Sequence, residues 1–91
     1  MAKAHYLGLG ITNKMVEQGT SHLDAIIQQY ESHLIKFNNQ PVSANTLGIP
    51  GHPEIHEYYV FDSFESSFNA SEEIKKKFKK NLTYMELGRL E

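Results

Sequence analysis

The longest regular pattern of apolar and polar positions along the chain lies in residues 21–37. Large apolar side chains recur there every three or four residues and fall within an arc of roughly 100° on a helical wheel. Ser21 is suited to cap the start of a helix, and residues 38–41 contain two asparagines and a proline that are typical of a helix end. The pattern predicts one long helix with a buried face formed by Leu23, Ile26, Ile27, Tyr30, Leu34 and Phe37.

A period of two precedes this predicted helix. In residues 5–11, three aliphatic side chains alternate with a tyrosine and two glycines, which is typical of a strand with one packed face. Residues 12–19 are then expected to form a short connector that ends at Gly19. The aliphatic positions are Leu7, Leu9 and Ile11.

The middle of the chain carries weaker signals. Three prolines and two glycines interrupt residues 38–53, so only a brief edge strand over residues 42–47 is expected there. Residues 54–64 are rich in aromatic and β-branched side chains on both alternating faces, which favours a central strand buried on both sides. A helix opened by Pro53 and reaching Phe68 is the alternative.

A second helix is predicted over residues 71–81, capped by Asn69 or Ser71, with acidic residues in its first turn and lysines towards its end. Residues 83–87 are expected to form a closing strand. The resulting order of elements, βαββαβ, indicates an α+β two-layer sandwich of the ferredoxin-like type. The alternative is a mainly helical, three-helix domain.

Composition limits the class of protein. A chain of 91 residues with 40% hydrophobic residues is expected to form a single globular domain over residues 1–91. A homodimer is also expected, because a small domain gains stability by burying apolar surface between two copies. The absence of cysteine excludes disulfides and thiol chemistry within this sequence. Without a signal peptide pattern or a membrane-spanning apolar run, we expect a cytoplasmic protein that does not bind membranes.

Charge is distributed unevenly along the chain. Residues 41–73 contain six acidic residues and no lysine or arginine, whereas five lysines cluster in residues 75–80. Lys76, Lys79 and Lys80 are therefore candidates for binding an anion. Because the lysines spread around the predicted helix and the net charge is −2, a solvated face is favoured and a nucleic-acid partner is not expected.

The segment GHPEIHE, residues 51–57, is the strongest candidate for chemistry. His52 and His56 lie four residues apart, so on a helix both imidazoles could bind one metal ion, with Glu54 or Glu57 as a further ligand. On a strand the two histidines would be about 13 Å apart. The favoured interpretation is that His52 lies in a turn and His56 is half-exposed on a strand, with no metal ion bound. Metal binding is the alternative.

A ligand site is also expected near the irregular loop. Its candidate residues are Ser43, Asn45 and Thr46 from the loop, with His56 and Tyr58 from the following segment. No cofactor motif is present, because the GLG at residues 8–10 is too short for a dinucleotide fingerprint. The sequence therefore favours a non-enzymatic module that self-associates and binds a protein or small molecule. A metal-dependent enzyme or binder, or an anion-binding module, are the alternatives.

Overall fold

The strand predicted near the N-terminus forms the centre of the fold. The computed structural model describes residues 4–19, 21–37 and 42–90. Within these residues the chain forms three strands, β1 Ala4–Ile11, β2 Glu57–Phe61 and β3 Leu82–Leu90. They form one antiparallel sheet in the order β2-β1-β3, so both edges of β1 are paired.

The register of the strands gives the sheet two different faces. Leu7 lies opposite Tyr59 on β2 and Leu87 on β3, and these odd-numbered residues share the face that the helices cover, which we call the helix face. Even-numbered residues lie on the other side. We call that side the tyrosine face because its large side chains are Tyr6, Tyr58 and Tyr84.

The hydrophobic core lies between the helix face and three helices. These are α1 Asn13–Gln18, α2 Ser21–Gln28 and α4 Phe64–Lys77, and the short helix α3 Ala44–Leu47 lies between α2 and β2 in the chain. Full burial of an aliphatic or aromatic side chain stabilises a fold by about 1.5–3 kcal/mol. The buried cluster consists of Leu7, Leu9, Ile11, Met15, Leu23, Ile26, Ile27, Phe61, Ala70 and Ile74.

Helix α4 packs on the sheet through small residues. Ser67, Ala70 and Ser71 are buried on its inner side. The Ser67 and Ser71 hydroxyls donate to the carbonyls one turn earlier, at 2.8 and 2.7 Å, so burial leaves neither without a partner. Ser63 caps this helix through a bond from the Ser66 amide at 3.2 Å. The predicted start at residue 71 was therefore wrong, because buried serines carry no apolar signal.

The helix predicted over residues 21–37 was wrong in its second half. Helix α2 ends at Gln28, a 3₁₀ turn follows at Glu31–His33, and Leu34 then pairs with Phe61 in an isolated antiparallel bridge. The Ile35 amide donates to the Val60 carbonyl at 2.8 Å. Pairing with β2 therefore overrides the helical pattern. The predicted stop signals Asn38, Asn39 and Pro41 lie outside the described residues.

The α+β class is confirmed, but the ferredoxin-like order was wrong because residues 42–90 contain two strands rather than three. The predicted strand over residues 42–47 is replaced by α3, which Ser43 caps and which ends at Gly48 with a φ of 69°. The predicted strand over residues 54–64 shortens to β2, which lies at an edge of the sheet rather than at its centre.

The other two predicted strands are present. The strand near the N-terminus is confirmed, and the closing strand is confirmed and extends to Leu90. The alternative three-helix domain was wrong, since β2 occupies part of its proposed third helix. No helix formed by the described residues is both long enough and apolar enough to cross a membrane.

Candidate functional site

Described residues pair with only part of the outer edge of β2. At its C-terminal end, the Val60 carbonyl accepts a hydrogen bond from the Ile35 amide, and the Asp62 amide donates to the His33 carbonyl, both at 2.8 Å. In an antiparallel strand, residues two apart direct their main-chain groups to the same side. The amide and carbonyl of Tyr58 therefore face the same outer edge as those of Val60.

A groove lies beside the rest of this edge. It has a volume of about 610 Å³, and we call it the β2 groove. Within the described part of the chain, no other strand pairs with the outer side of Tyr58. The lining is mainly apolar and includes Leu34, Ile35, Phe37, Val42, Tyr58 and Val60.

Four polar side chains that line the β2 groove, those of Lys36, His56, Glu57 and Tyr59, already have partners within the protein. The Tyr59 hydroxyl donates to the Glu57 carboxylate, and burial together with this bond raises the pKa of Tyr59. The His56 ring accepts a hydrogen bond at Nδ1 from the Ile11 amide at 3.2 Å. Lys36 pairs with the Glu31 carboxylate at 2.9 Å. The groove therefore offers a ligand mostly apolar surface and the main chain of β2.

The tyrosine face is a packed layer. The Tyr6 and Tyr84 hydroxyls both donate to the Glu86 carboxylate, at 2.8 and 3.0 Å. Burial, followed by this hydrogen bond and charge, raises the pKa of Tyr6 to about 12. The His52 ring stacks on Tyr84 with 3.9 Å between ring centroids. These contacts tie the loop before β2 to β3, which indicates a structural role for the layer.

Tyr58 belongs to both the tyrosine face and the β2 groove. Its hydroxyl oxygen is buried and has no hydrogen-bond partner among the described residues. Its ring packs near that of Tyr6, with 6.0 Å between centroids, and against the position of Gly8. Tyr58 thus connects the main-chain edge at the groove with the packed side of the sheet.

The structure does not gather the predicted metal ligands into one site. Residues 52–55 form a turn, in which the Ile55 amide donates to the His52 carbonyl at 3.0 Å. The His52 Nδ1 accepts from the Glu54 amide at 3.1 Å, and the His56 Nδ1 is bonded to β1. No three His, Cys, Asp or Glu side chains of the described residues are arranged to hold a metal ion. Metal binding by His52, Glu54, His56 and Glu57 stays a prediction.

The predicted ligand-binding residues separate into two groups. His56 and Tyr58 line the β2 groove. Ser43 and Thr46 instead close the first turn of α3, where the Thr46 amide donates to Ser43 Oγ at 3.2 Å and the two hydroxyls lie 3.0 Å apart. Asn45 is exposed on the same helix.

The predicted anion-binding lysines lie at the far end of α4. Lys76 is in its last turn, and Lys79 and Lys80 are in the 3₁₀ turn Lys79–Asn81. All three are exposed. Neighbouring Lys75 forms an ion pair with Glu72 at 3.1 Å. An anion site here stays a prediction.

Comparison of the chain with protein-family models, with curated protein sequences and with solved structures gives no significant match. The candidate site therefore depends on geometry alone. The sequence pattern did not identify Leu34, Ile35 and Phe37 as groove residues, because their spacing assigned them to the first helix. The available signal for extended structure was weak, since only Ile35 is β-branched and only Phe37 is aromatic in residues 34–37.

Proposed function

We propose that this protein is a non-enzymatic binding module that holds an extended apolar segment of a partner protein in the β2 groove. The observation that carries the proposal is the half of the β2 edge that no described residue pairs with, which opens directly into apolar surface. Proteins commonly recognise extended peptides by adding them to such an edge as a further strand.

An extended segment of the chain itself supports the proposal, because it already pairs with part of this edge. Leu34 and Ile35 already lie along the C-terminal half of β2 as an extended segment. A partner segment that continues along the same edge would exchange hydrogen bonds with the main chain of Tyr58. Every second side chain of that segment would then enter the groove.

The size and lining of the groove suit apolar side chains. Its volume of about 610 Å³ lies within the range of about 300–1,000 Å³ typical of specific binding pockets. Leu34, Phe37 and Val42 offer apolar contacts, whereas His56 and Glu57 are engaged in hydrogen bonds within the protein. Main-chain pairing is therefore expected to supply affinity, and the apolar lining to supply preference among sequences.

Chemical-shift mapping of the isotopically labelled protein tests this proposal. The probe is a capped peptide of alternating threonine and valine, and the control peptide carries proline in place of the central valine, which removes a main-chain donor. We expect the threonine–valine peptide to shift the amides of Tyr58, Leu34 and their neighbours. The proline peptide is expected to bind at least about tenfold more weakly.

A matched pair of variants locates the site. Val42→Asp places a charge in the β2 groove and is expected to weaken peptide binding by about tenfold or more. Val16→Asp makes the same change on exposed α1 and is expected to leave binding unchanged. Equal binding of both peptides, or shifts confined to other surfaces, would contradict the proposal. A groove that binds the apolar dye anilinonaphthalene sulfonate but neither peptide would instead be a small-molecule site.

A further inference from the structure

The outer edge of β3 presents a second set of main-chain groups. The main-chain groups of Val60 face away from β1. Because main-chain groups alternate along a strand, those of the odd-numbered residues of β2 bond to the odd-numbered residues of β1. The even-numbered residues of β1 then bond to β3, through pairs such as Gly8 with Glu86. The alternation therefore directs the main-chain groups of Met85, Leu87 and Arg89 away from β1, and no described residue pairs with that edge.

Exposed apolar side chains cluster beside this edge. Four large apolar residues are exposed in the described part of the chain, and three of them are Phe64, Phe68 and Leu87, at 54%, 42% and 36%. The Phe64 and Phe68 rings stack with 5.7 Å between centroids, and Phe64 lies with Leu87 around a shallow cleft on the helix face. A free strand edge next to apolar surface is a typical site of association.

We propose that β3 pairs antiparallel with the β3 strand of a second copy of this chain, about a two-fold axis that passes through Leu87. The two three-stranded sheets would join into one six-stranded sheet. A two-fold axis perpendicular to a sheet keeps equivalent faces on the same side. Leu87, Phe64 and Phe68 of both copies would therefore share one continuous apolar surface.

The register follows from the strand itself. The pairing of β1 with β3 is irregular at Gly10/Ile11, so the regular part of β3 is residues 84–90, and its centre is Leu87. Pairing about this centre places Leu87 against the partner's Leu87 and Glu86 against the partner's Gly88. It also makes Met85, Leu87 and Arg89 the hydrogen-bonded positions, with about six main-chain bonds between the copies.

Neighbouring registers are less favourable. A register centred on Glu86 would place two carboxylates directly opposite each other, which is destabilising. A register centred on Gly88 would place two glycines at the axis and would shorten the paired segment, because the strand ends at Leu90. The Leu87 register avoids both costs. The proposed interface lies at the opposite edge of the sheet from the β2 groove, so the dimer and the peptide binding are independent proposals.

Cysteine cross-linking tests both the interface and its register, because the native chain contains no cysteine. In the proposed dimer the two Leu87 Cα atoms lie about 5.5 Å apart, a separation that a disulfide spans. The two Arg89 residues are offset by four positions, or about 13 Å along the strands. We expect Leu87→Cys to cross-link rapidly under mild oxidation and Arg89→Cys to cross-link at least about tenfold more slowly.

Sedimentation velocity provides the non-covalent test. The native protein is expected to be a dimer at high micromolar concentration, and Leu87→Glu is expected to weaken association by about tenfold or more. The matched control, Val16→Glu, introduces the same charge on α1 and should remain a dimer. Should Leu87→Glu fail to fold, Leu87→Pro removes only an outward-facing amide, which an edge strand tolerates.

Three results would overturn this proposal. The first is a native protein that stays monomeric at high micromolar concentration. The second is a cysteine at position 89 that cross-links as fast as one at position 87. The third is a dimer that Val16→Glu dissociates as readily as Leu87→Glu. Because none of these results involves the β2 groove, failure here is distinguishable from failure of the proposed peptide binding.

Discussion

At the scale of single residues, the tyrosine face shows why glycine occurs within a strand. The Tyr6 ring lies directly over Gly88 on the neighbouring strand, where a Cβ atom would overlap the ring. Tyr6 also donates its hydroxyl proton to Glu86, which fixes the position of the ring. The absence of a side chain at position 88 is therefore a packing requirement rather than a weakness of β3.

Gly88→Ala is expected to lower the free energy of unfolding by about 1–3 kcal/mol, because the added methyl group overpacks against Tyr6. In a Tyr6→Ala background the ring is absent, so the same change should be nearly neutral. Urea denaturation of the four proteins in this cycle provides the measurement. Gly51→Ala is the control, since its Cβ would lie 3.3 Å from the Ala44 Cβ and should cost less. Equal costs in both backgrounds would contradict the assigned contact.

The raised pKa of Tyr6 predicts a dependence of stability on alkaline pH. The folded protein holds this pKa at about 12, through burial and the bond to Glu86, against about 10 in the unfolded chain. The phenol therefore stabilises the fold below pH 10, and this contribution declines as the pH rises from about 10 to 12. Urea midpoints should fall more steeply over this interval for the native protein than for Tyr6→Phe. Parallel curves would show that Tyr6 is not the group responsible.

At the scale of elements, helix α4 begins seven residues before the start that its charge pattern predicts. Ser63→Ala should destabilise the protein by about 1 kcal/mol, since Ser63 Oγ accepts from the Ser66 amide at the helix start. Asn69→Ala should change stability by less than about 0.5 kcal/mol, because residue 69 is exposed in the helix interior. Thermal unfolding of both variants distinguishes the two starts. A helix beginning near residue 71 would reverse the order of these effects.

The elements that could be predicted are those whose own residues decide their structure. The alternation of aliphatic residues in β1 and the spacing of Leu23, Ile26 and Ile27 in α2 both define a buried face locally, and both elements are present. The chain after Gln28 differs, because the hydrogen bonds of His33 and Ile35 to Asp62 and Val60 hold it beside β2, more than twenty residues away in sequence. No periodicity within residues 29–37 encodes that partner.

Only part of the candidate site could be predicted, because only some of its residues are recognisable from the local sequence. His56 and Tyr58 were selected because of their residue types, and both line the β2 groove. Leu34, Phe37 and Val42 complete the groove but resemble ordinary core or loop residues in the sequence. Their role depends on where the edge of β2 lies, which is a property of the folded sheet rather than of any local pattern.

At the scale of the whole molecule, the two edges of the sheet differ. The chain itself partly covers the edge of β2 through Leu34 and Ile35, whereas the edge of β3 is free of pairing among the described residues. The proposed dimer would use the β3 edges and would leave one β2 groove at each end of a six-stranded sheet. Two grooves on one rigid body would allow a partner with two binding segments to attach at both ends.

The most direct test of this account is amide hydrogen exchange along β3, measured by nuclear magnetic resonance at low and at high protein concentration. The amides of Tyr84, Glu86 and Gly88 bond to β1 and should be protected at both concentrations. The amides of Met85, Leu87 and Arg89 should exchange rapidly in dilute solution and become protected as the concentration rises. Protection that does not alternate along the strand, or odd-numbered amides that exchange rapidly at every concentration, would contradict the account.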